Sequence, residues 1–352
     1  MRILATATLE EAGLERLRQH AEVLYEPMRE GHAFLSGEEM IEKLHGVEIL
    51  ITEADLVTAE VFEKARSLKV VVSCRGWAVN IDVPAATANG VLVLNTPGRN
   101  ADAVADLTVC MMIMLARKVP QIMKLMADPA VAENPLLLLM QVYFGLQGSE
   151  LWDKTVGLIG FGAVGQKVAA RLAGFEARVI AFDPYQPDEV LAHHNVRQVD
   201  LHTLLRESDY VSLHARVTPE TTGLLGEAEF ALMKPTAYFL NLARAALTDE
   251  DALVRVLQQG KIAGAGLDVF TQEPPPADHP LLKLDNVLAL PHIGGNTAEV
   301  AVHQTRVLVP EIERLLARQK PLYMLNPEVW PGFDLREPRQ AAAQDVTLQE
   351  RL

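Results

Sequence analysis

The sequence is short of cysteine and of positive charge, and it has no long apolar run. Its 352 residues hold two cysteines, Cys74 and Cys110. That is too few for a disulfide framework and lacks the paired Cys/His spacing of a zinc site, so no metal centre is expected. Thirty-two Lys and Arg stand against 46 Asp and Glu, a formal net charge of -14. Such a surface repels phosphate backbones and anionic lipids, which argues against nucleic-acid and membrane partners. The apolar stretches break off well short of the roughly 20 residues of a membrane helix. The opening, MRILATATLEEAGLERL, turns charged before a signal-type apolar core forms, so a reducing cytoplasm is the expected location. With 49% hydrophobic and 22% charged residues the chain can bury sizeable cores, and it is longer than one core usually serves; two domains are expected.

What is present is alternation. The short apolar runs RILAT, EVLYE, EILIT, KVVVS and VLVLNT begin at Arg2, Glu22, Glu48, Lys69 and Val91, with helical patterns such as SGEEMIEKL and TAEVFEKARS between them. This order predicts a parallel sheet with helices on its faces. Asn100 then opens a long apolar helix, NADAVADLTVCMMIMLARKV, with Asn100 as its expected cap and Arg117 and Lys118 suited to its C-terminal end. The Leu/Met-rich stretch 120–150 reads as a helical connection. A second series follows: VGLIG, RVIAFD, VRQV, YVSLHA, AYFLNLA, GAGLDVF and NVLALPH. Seven strands with helices between them is the count of a doubly wound dinucleotide-binding domain with one extra strand. A helix over about 299–319 leads back to the first domain, and the polar, Pro-containing stretch after Trp330 reads as a loosely held tail.

The most specific local motif is Gly160-Phe161-Gly162-Ala163-Val164-Gly165, set between the strand VGLIG and the helical QKVAARLAGF. The first glycine allows a tight turn, the second a close approach of backbone to pyrophosphate, the third close packing of helix on strand. The next strand ends at Asp183, where a carboxylate can accept bonds from ribose hydroxyls and would repel a 2'-phosphate. NAD is the expected cofactor.

Three ionisable residues follow three successive strands: Arg244 after AYFLNLA, Glu273 after GAGLDVF, and His292 at the end of NVLALPH. The carboxyl ends of parallel strands line a ligand crevice, so these residues can converge. Moving a hydride to or from a 2-hydroxy acid needs a proton acceptor, a planar cation for the carboxylate, and a nicotinamide. His292 oriented by Glu273 suits the first need and Arg244 the second. Taken singly, each has a structural alternative: an ion pair at Arg244, a loop acid at Glu273, a core histidine at His292. His214 closes a strand and reads as structural or cofactor-adjacent; His193, His194, His202 and His303 read as solvated or packing residues.

The segments NTPGRNADAVADLT, GLIGFGAVG, NLARAALTDEDAL, GAGLDVFTQEP and DNVLALPHIGG, in this order over residues 69–295 and running on to Asn326-Pro327, resemble the D-isomer-specific 2-hydroxyacid dehydrogenases. The resemblance implies an α/β architecture of two doubly wound parallel-sheet domains, a flavodoxin-like substrate domain with an inserted Rossmann NAD-binding domain, assembled as a homodimer through the cofactor domain. The expected division is 1–119 and 306–335 for the substrate domain, 120–305 for the NAD-binding domain and 336–352 for the tail. The family's catalytic arginine, glutamate and histidine fall on Arg244, Glu273 and His292. Its cofactor contacts fall on Thr96, Ala163, Val164, Asp183, Leu242, Asp268 and Gly295. Backbone N–H groups around Gly76, Trp77, Ala78 and Val79 would hold the substrate carboxylate in an anion-binding nest.

Some residues depart from the family pattern. Trp77 and Ala78 stand where small residues or glycine are usual, Ala245-Ala246 replaces Gly-Gly, and Arg216 replaces a common proline beside the cofactor's adenosine side. Arg75 is suited either to a distal phosphate or carboxylate on the substrate or to a surface ion pair. The leading expectation is a small D-2-hydroxy acid of the 3-phosphoglycerate kind. The alternatives are a glyoxylate/hydroxypyruvate reductase, which needs no distal anion site, and, in a different class, an NAD-sensing corepressor-like binding protein. A formate dehydrogenase is disfavoured because that pattern carries glutamine at Glu273. No regulatory C-terminal domain is expected.

Overall fold

The computed structural model describes residues 1–27, 34–132 and 134–337. The chain divides into two compact units, one formed by Met1–Arg99 with Thr297–Leu352 and the other by Asn100–Asn296.

In the first unit five strands alternate with helices: β1 (Arg2–Ala5), α1 (Glu11–Arg18), β2 (Glu22–Tyr25), α2 (Gly37–Lys43), β3 (Ile49–Thr52), α3 (Ala59–Lys64), β4 (Val70–Ser73), α4 (Val83–Ala88) and β5 (Leu92–Asn95). The sheet order is β2-β1-β3-β4-β5 with every pairing parallel. This is the flavodoxin-like order. The uninterrupted apolar runs follow from burial on both faces: in β4, Val70 and Val72 join one core while Val71, pointing the other way, joins the second. The edge at β5 is closed by the C-terminal segment. Fully buried Asn326 accepts from the Val93 N–H at 2.8 Å and donates to the Val91 carbonyl at 2.8 Å.

The second unit begins with α5 (Ala101–Ala116), α6 (Val119–Met126), α7 (Pro129–Ala132) and α8 (Pro135–Met140). Then come β6 (Thr155–Ile159), α9 (Ala163–Ala173), β7 (Arg178–Phe182), α10 (Asp188–His193), β8 (Arg197–Gln198), α11 (Leu201–Glu207) and β9 (Tyr210–Leu213). It ends with α12 (Glu227–Phe230), β10 (Tyr238–Asn241), α13 (Glu250–Gln258), β11 (Gly264–Leu267) and β12 (Val287–Ala289); α14 (Glu299–Leu316) returns to the first unit. The seven strands run parallel in the order β12-β11-β10-β9-β6-β7-β8. This is the Rossmann order extended by one strand, with its switch point between β6 and β9.

The units divide at Arg99 and Asn296, whereas the sequence reading put the divisions near 119 and 305. The reason lies in α5, whose buried side chains pack on α9, β10 and β11, and in α14, whose Leu308, Val309 and Ile312 enter the core of the first unit. Asn100 makes no side-chain cap to α5, contrary to expectation; it lies against Gly295, its Nδ2 2.9 Å from where a Cβ would stand. The expected tail, 336–352, falls outside the described residues from 338 onward.

Candidate active site

The glycine turn after β6 has the three properties its spacing predicts. Gly160 has φ +95°, and a Cβ there would stand 2.7 Å from both the His214 carbonyl carbon and the Ala215 nitrogen. No other residue fits at that φ and that approach. At Gly165 a Cβ would meet the Gly160 carbonyl oxygen at 2.5 Å, whereas at Gly162 it would meet nothing within 4 Å. The second glycine therefore faces open space, and α9 begins there with Ala163 exposed and its first N–H groups unclaimed by the helix. Asp183, just past β7, accepts the Phe161 N–H at 2.7 Å through Oδ2 and the Tyr185 N–H at 2.9 Å through Oδ1. It thus braces the turn at the end of the strand that follows the glycine motif. These residues fit a dinucleotide: an open glycine, a helix N-terminus and a carboxylate at the next strand end.

Three neighbouring strands carry the ionisable groups. Asn241 of β10 pairs with Leu267 of β11, and Leu267 with Ala289 of β12, so these strand ends lie level, each strand about 4.8 Å from the next. Arg244 follows β10, extended and exposed, with one guanidinium nitrogen on its neighbour's Ala243 carbonyl at 2.6 Å. Its backbone is set by Asn241, whose Nδ2 donates to the Arg244 carbonyl at 2.9 Å while its Oδ1 accepts from Ala243 N–H at 3.0 Å. His292 follows β12 at φ +59°. Its Nδ1 lies 2.6 Å from Glu273 Oε2, while Glu273 Oε1 accepts the Phe270 N–H at 3.1 Å. An ionised carboxylate only accepts, so Nδ1 carries the proton and Nε2 is left to take or give one.

Asp268, at the end of β11, is 1% exposed and holds the turn that presents His292, accepting the Ile293 and Gly294 N–H groups at 2.8 and 2.7 Å. Burial raises its pKa above the usual carboxylate value against the pull of those two N–H groups. The resemblance implies a cofactor contact for Asp268; in the structure its carboxylate also holds this turn. Leu242 is buried in the core of this unit, and Gly295 sits against Asn100. Asn241 has no signal of its own in the sequence, because an asparagine that shapes a turn looks like any other loop residue.

In the first unit the loop 74–80 follows β4. Cys74 is fully buried, and burial pushes its thiol pKa far up, so it packs rather than reacts. Trp77 and Val79 are 66% and 70% exposed, on either side of buried Ala78. Arg75 is half-buried, its Nε donating to the Glu53 carbonyl at 2.5 Å, while Glu53 pairs with Arg99 at 3.0 Å. Thr96 is fully buried, with its N–H on the Arg75 carbonyl at 3.0 Å and its hydroxyl on the Ser73 carbonyl at 3.3 Å. It supports this loop from behind.

Residues 109–294 match the family described as "D-isomer specific 2-hydroxyacid dehydrogenase, NAD binding domain". The chain is 36% identical over 344 residues to the glyoxylate reductase of Korarchaeum cryptofilum, covering 94% of this chain and 99% of that protein. The chain belongs to the D-isomer-specific 2-hydroxyacid dehydrogenase family. A second member, the D-3-phosphoglycerate dehydrogenase of Methanocaldococcus jannaschii, is 37% identical over 318 residues, 90% of this chain but only 57% of that longer protein. Among solved structures, an acyclic imino acid reductase in complex with NADPH and D-Arg superposes with a TM-score of 0.75 at 30% identity, over 92% of this chain and all of that one. Members of this family bind a nicotinamide dinucleotide, and NAD is the cofactor of the domain matched here.

Proposed function

We propose that this chain is an NAD-dependent oxidoreductase of small D-2-hydroxy and 2-keto acids. The observation that carries the reading is His292 Nδ1 2.6 Å from Glu273 Oε2, two strands from Arg244 on one sheet edge. Gly160, Gly162, Ala163, Val164, Gly165 and Asp183 would hold NAD, which supplies hydride acceptance or donation when bound. His292 Nε2 takes the hydroxyl proton in oxidation and returns it in reduction. Glu273 keeps the ring oriented and balances the imidazolium charge. The Arg244 guanidinium, a planar fork of donors, holds the carboxylate and the C2 oxygen as charge develops there. In the first unit, the loop Gly76–Val79 offers backbone N–H groups suited to a carboxylate.

Between the two expected substrate types, the loop favours an acid without a distal phosphate. Arg75 is turned onto the Glu53 carbonyl, and the side chains that project from the loop are the apolar Trp77 and Val79. A glyoxylate- or hydroxypyruvate-type keto acid therefore fits better than a phosphoglycerate-type one. The test is NADH oxidation by the purified protein against a panel of 2-keto acids with and without a distal phosphate. Preference for the unphosphorylated acids is expected, with Arg75→Ala leaving kcat/KM nearly unchanged. Preference for phosphorylated acids, lost in Arg75→Ala, would reverse the substrate assignment. No turnover of any acid, with NADH still bound, would favour a binding protein instead.

A homodimer in the cytoplasm completes the proposal. Along α6, α8 and the turn after it, Met123, Met126, Leu136, Leu139, Tyr143 and Phe144 are each at least half exposed, which supports a partner surface on the cofactor unit. No helix among the described residues is long and apolar enough to cross a membrane.

A further inference from the structure

The loop 74–80 is held from behind by two adjacent residues at the end of β5. The Thr96 N–H donates to the Arg75 carbonyl at 3.0 Å, and the Asn95 Nδ2 donates to the Gly76 carbonyl at 2.7 Å. In a trans peptide the carbonyl and the following N–H point in opposite directions. Fixing the Arg75 and Gly76 carbonyls toward β5 therefore turns the Gly76 and Trp77 N–H groups away from it, side by side. An extended strand would alternate them; two successive N–H groups on one side make an anion-binding concavity. Neither N–H has an acceptor among the described residues. The concavity is open: a Cβ on Gly76 would meet nothing within 4 Å. Asn95 itself is 8% exposed and behind the loop, so it cannot touch what binds in front.

We infer that Asn95 is a positioning residue for the substrate carboxylate: its carboxamide, by holding the Gly76 carbonyl, aims the Trp77 N–H at the acid. The inference rests on the dehydrogenase reading and deepens it. Thr96 acts through its backbone and can be replaced without losing its bond, whereas Asn95 acts through its side chain and cannot. A carbonyl that loses its donor can swing the peptide to recover a partner, and the Trp77 N–H then leaves the concavity. Asparagine is required there because the group must donate; the isosteric aspartate donates only while protonated.

The experiment uses oxalate, an unreactive planar dianion resembling a 2-keto acid, titrated calorimetrically into the full-length protein saturated with NADH. Asn95→Ala is expected to weaken oxalate binding by about 10- to 100-fold, the size of one hydrogen bond to a charged group. The NADH affinity, set in the other unit, is expected to stay the same. In turnover, KM rises in parallel while kcat changes much less. Asn95→Asp supplies the signature that a merely structural role would not move: relative to wild type at the same pH, its oxalate affinity recovers as pH falls from 8 to 5 and the new carboxyl becomes a donor. Both pH values are read on one preparation of an isosteric variant, so a partly unfolded sample does not mimic the recovery. An Asn95→Asp to wild-type ratio that is flat with pH, or an Asn95→Ala affinity within twofold of wild type, would overturn the inference while leaving the dehydrogenase reading intact. A wild-type protein that binds NADH but neither oxalate nor any keto acid would overturn both.

Discussion

At the scale of single residues, two histidines of the second unit stand in opposite environments, one half-exposed beside a carboxylate and one buried. His292 is 43% exposed and paired with Glu273, so its Nε2 is accessible to a reacting hydroxyl. Replacing it with alanine is expected to lower kcat by about 10²–10⁴-fold with little change in NADH affinity. Glu273→Gln keeps an acceptor for Nδ1 but removes the charge facing the imidazolium, and stopped-flow rates should show a smaller loss than His292→Ala. His214 is different. Among the described residues its buried Nδ1 has no partner, its Nε2 lies 3.0 Å from Ser212 Oγ, and burial lowers its pKa to about 4 from 6.5. Between those values the unfolded chain binds the proton and the folded chain does not, so stability falls as pH drops through that window and is fully present above about 6.5. Thermal melts of wild type and His214→Gln from pH 7 to 4 test this: the variant should lose the part of the acid slope that His214 contributes. Equal slopes would mean that the ring is protonated as readily in the fold as in the unfolded chain.

At the scale of elements, the glycine turn makes a prediction that distinguishes folding from binding. Gly165→Ala drives a methyl to 2.5 Å from the Gly160 carbonyl oxygen, so β6 and α9 must separate; both Tm and NADH affinity should fall. Gly162→Ala has room in the structure as it stands, so Tm should hold while NADH affinity drops, because the methyl occupies the space the pyrophosphate needs. Fluorescence titration with NADH beside a thermal melt checks both. A Gly162→Ala protein that binds NADH like wild type would mean that the cofactor passes elsewhere. These strand and turn features were legible in the sequence because their causes are local: buried strands require continuous apolar runs, and a φ of +95° requires glycine. The pairing of His292 with Glu273 was legible too, since strand ends of a parallel sheet converge. What the sequence did not reveal depends on tertiary partners. Asn100 looks like a helix cap but meets Gly295 instead. Asp268 reads as a ligand-facing acid, and the sequence does not show that its two oxygens also accept backbone N–H groups 25 and 26 residues away. Asn95 and Asn241 shape backbone that itself carries the functional groups, and backbone acceptors leave no trace in residue identity. The point at which the units divide is hidden in the sequence for the same reason. An apolar helix such as α5 says that it is buried but not against which sheet.

At the scale of the whole molecule, two properties oppose each other in the proposed homodimer. The apolar side chains of α6, α8 and the following turn favour association, each large one contributing about 1.5–3 kcal/mol if fully covered. Each chain also carries a formal charge of -14, so two copies repel. That repulsion reaches across about 10 Å at 0.1 M salt but about 30 Å at 0.01 M. Hydrophobic contact is insensitive to salt over this range, whereas screening of the charge is not. The dimer should therefore be tighter at 0.15 M than at 0.01 M salt, a direction opposite to that of an interface held by ion pairs. Sedimentation velocity at the two salt concentrations measures it. Phe144→Glu, which replaces a 79% exposed aromatic ring with a further negative charge, should move the protein toward monomer at both concentrations without lowering NADH affinity. A species that stays dimeric in Phe144→Glu, or that tightens as salt is removed, would place the interface on another face of the molecule.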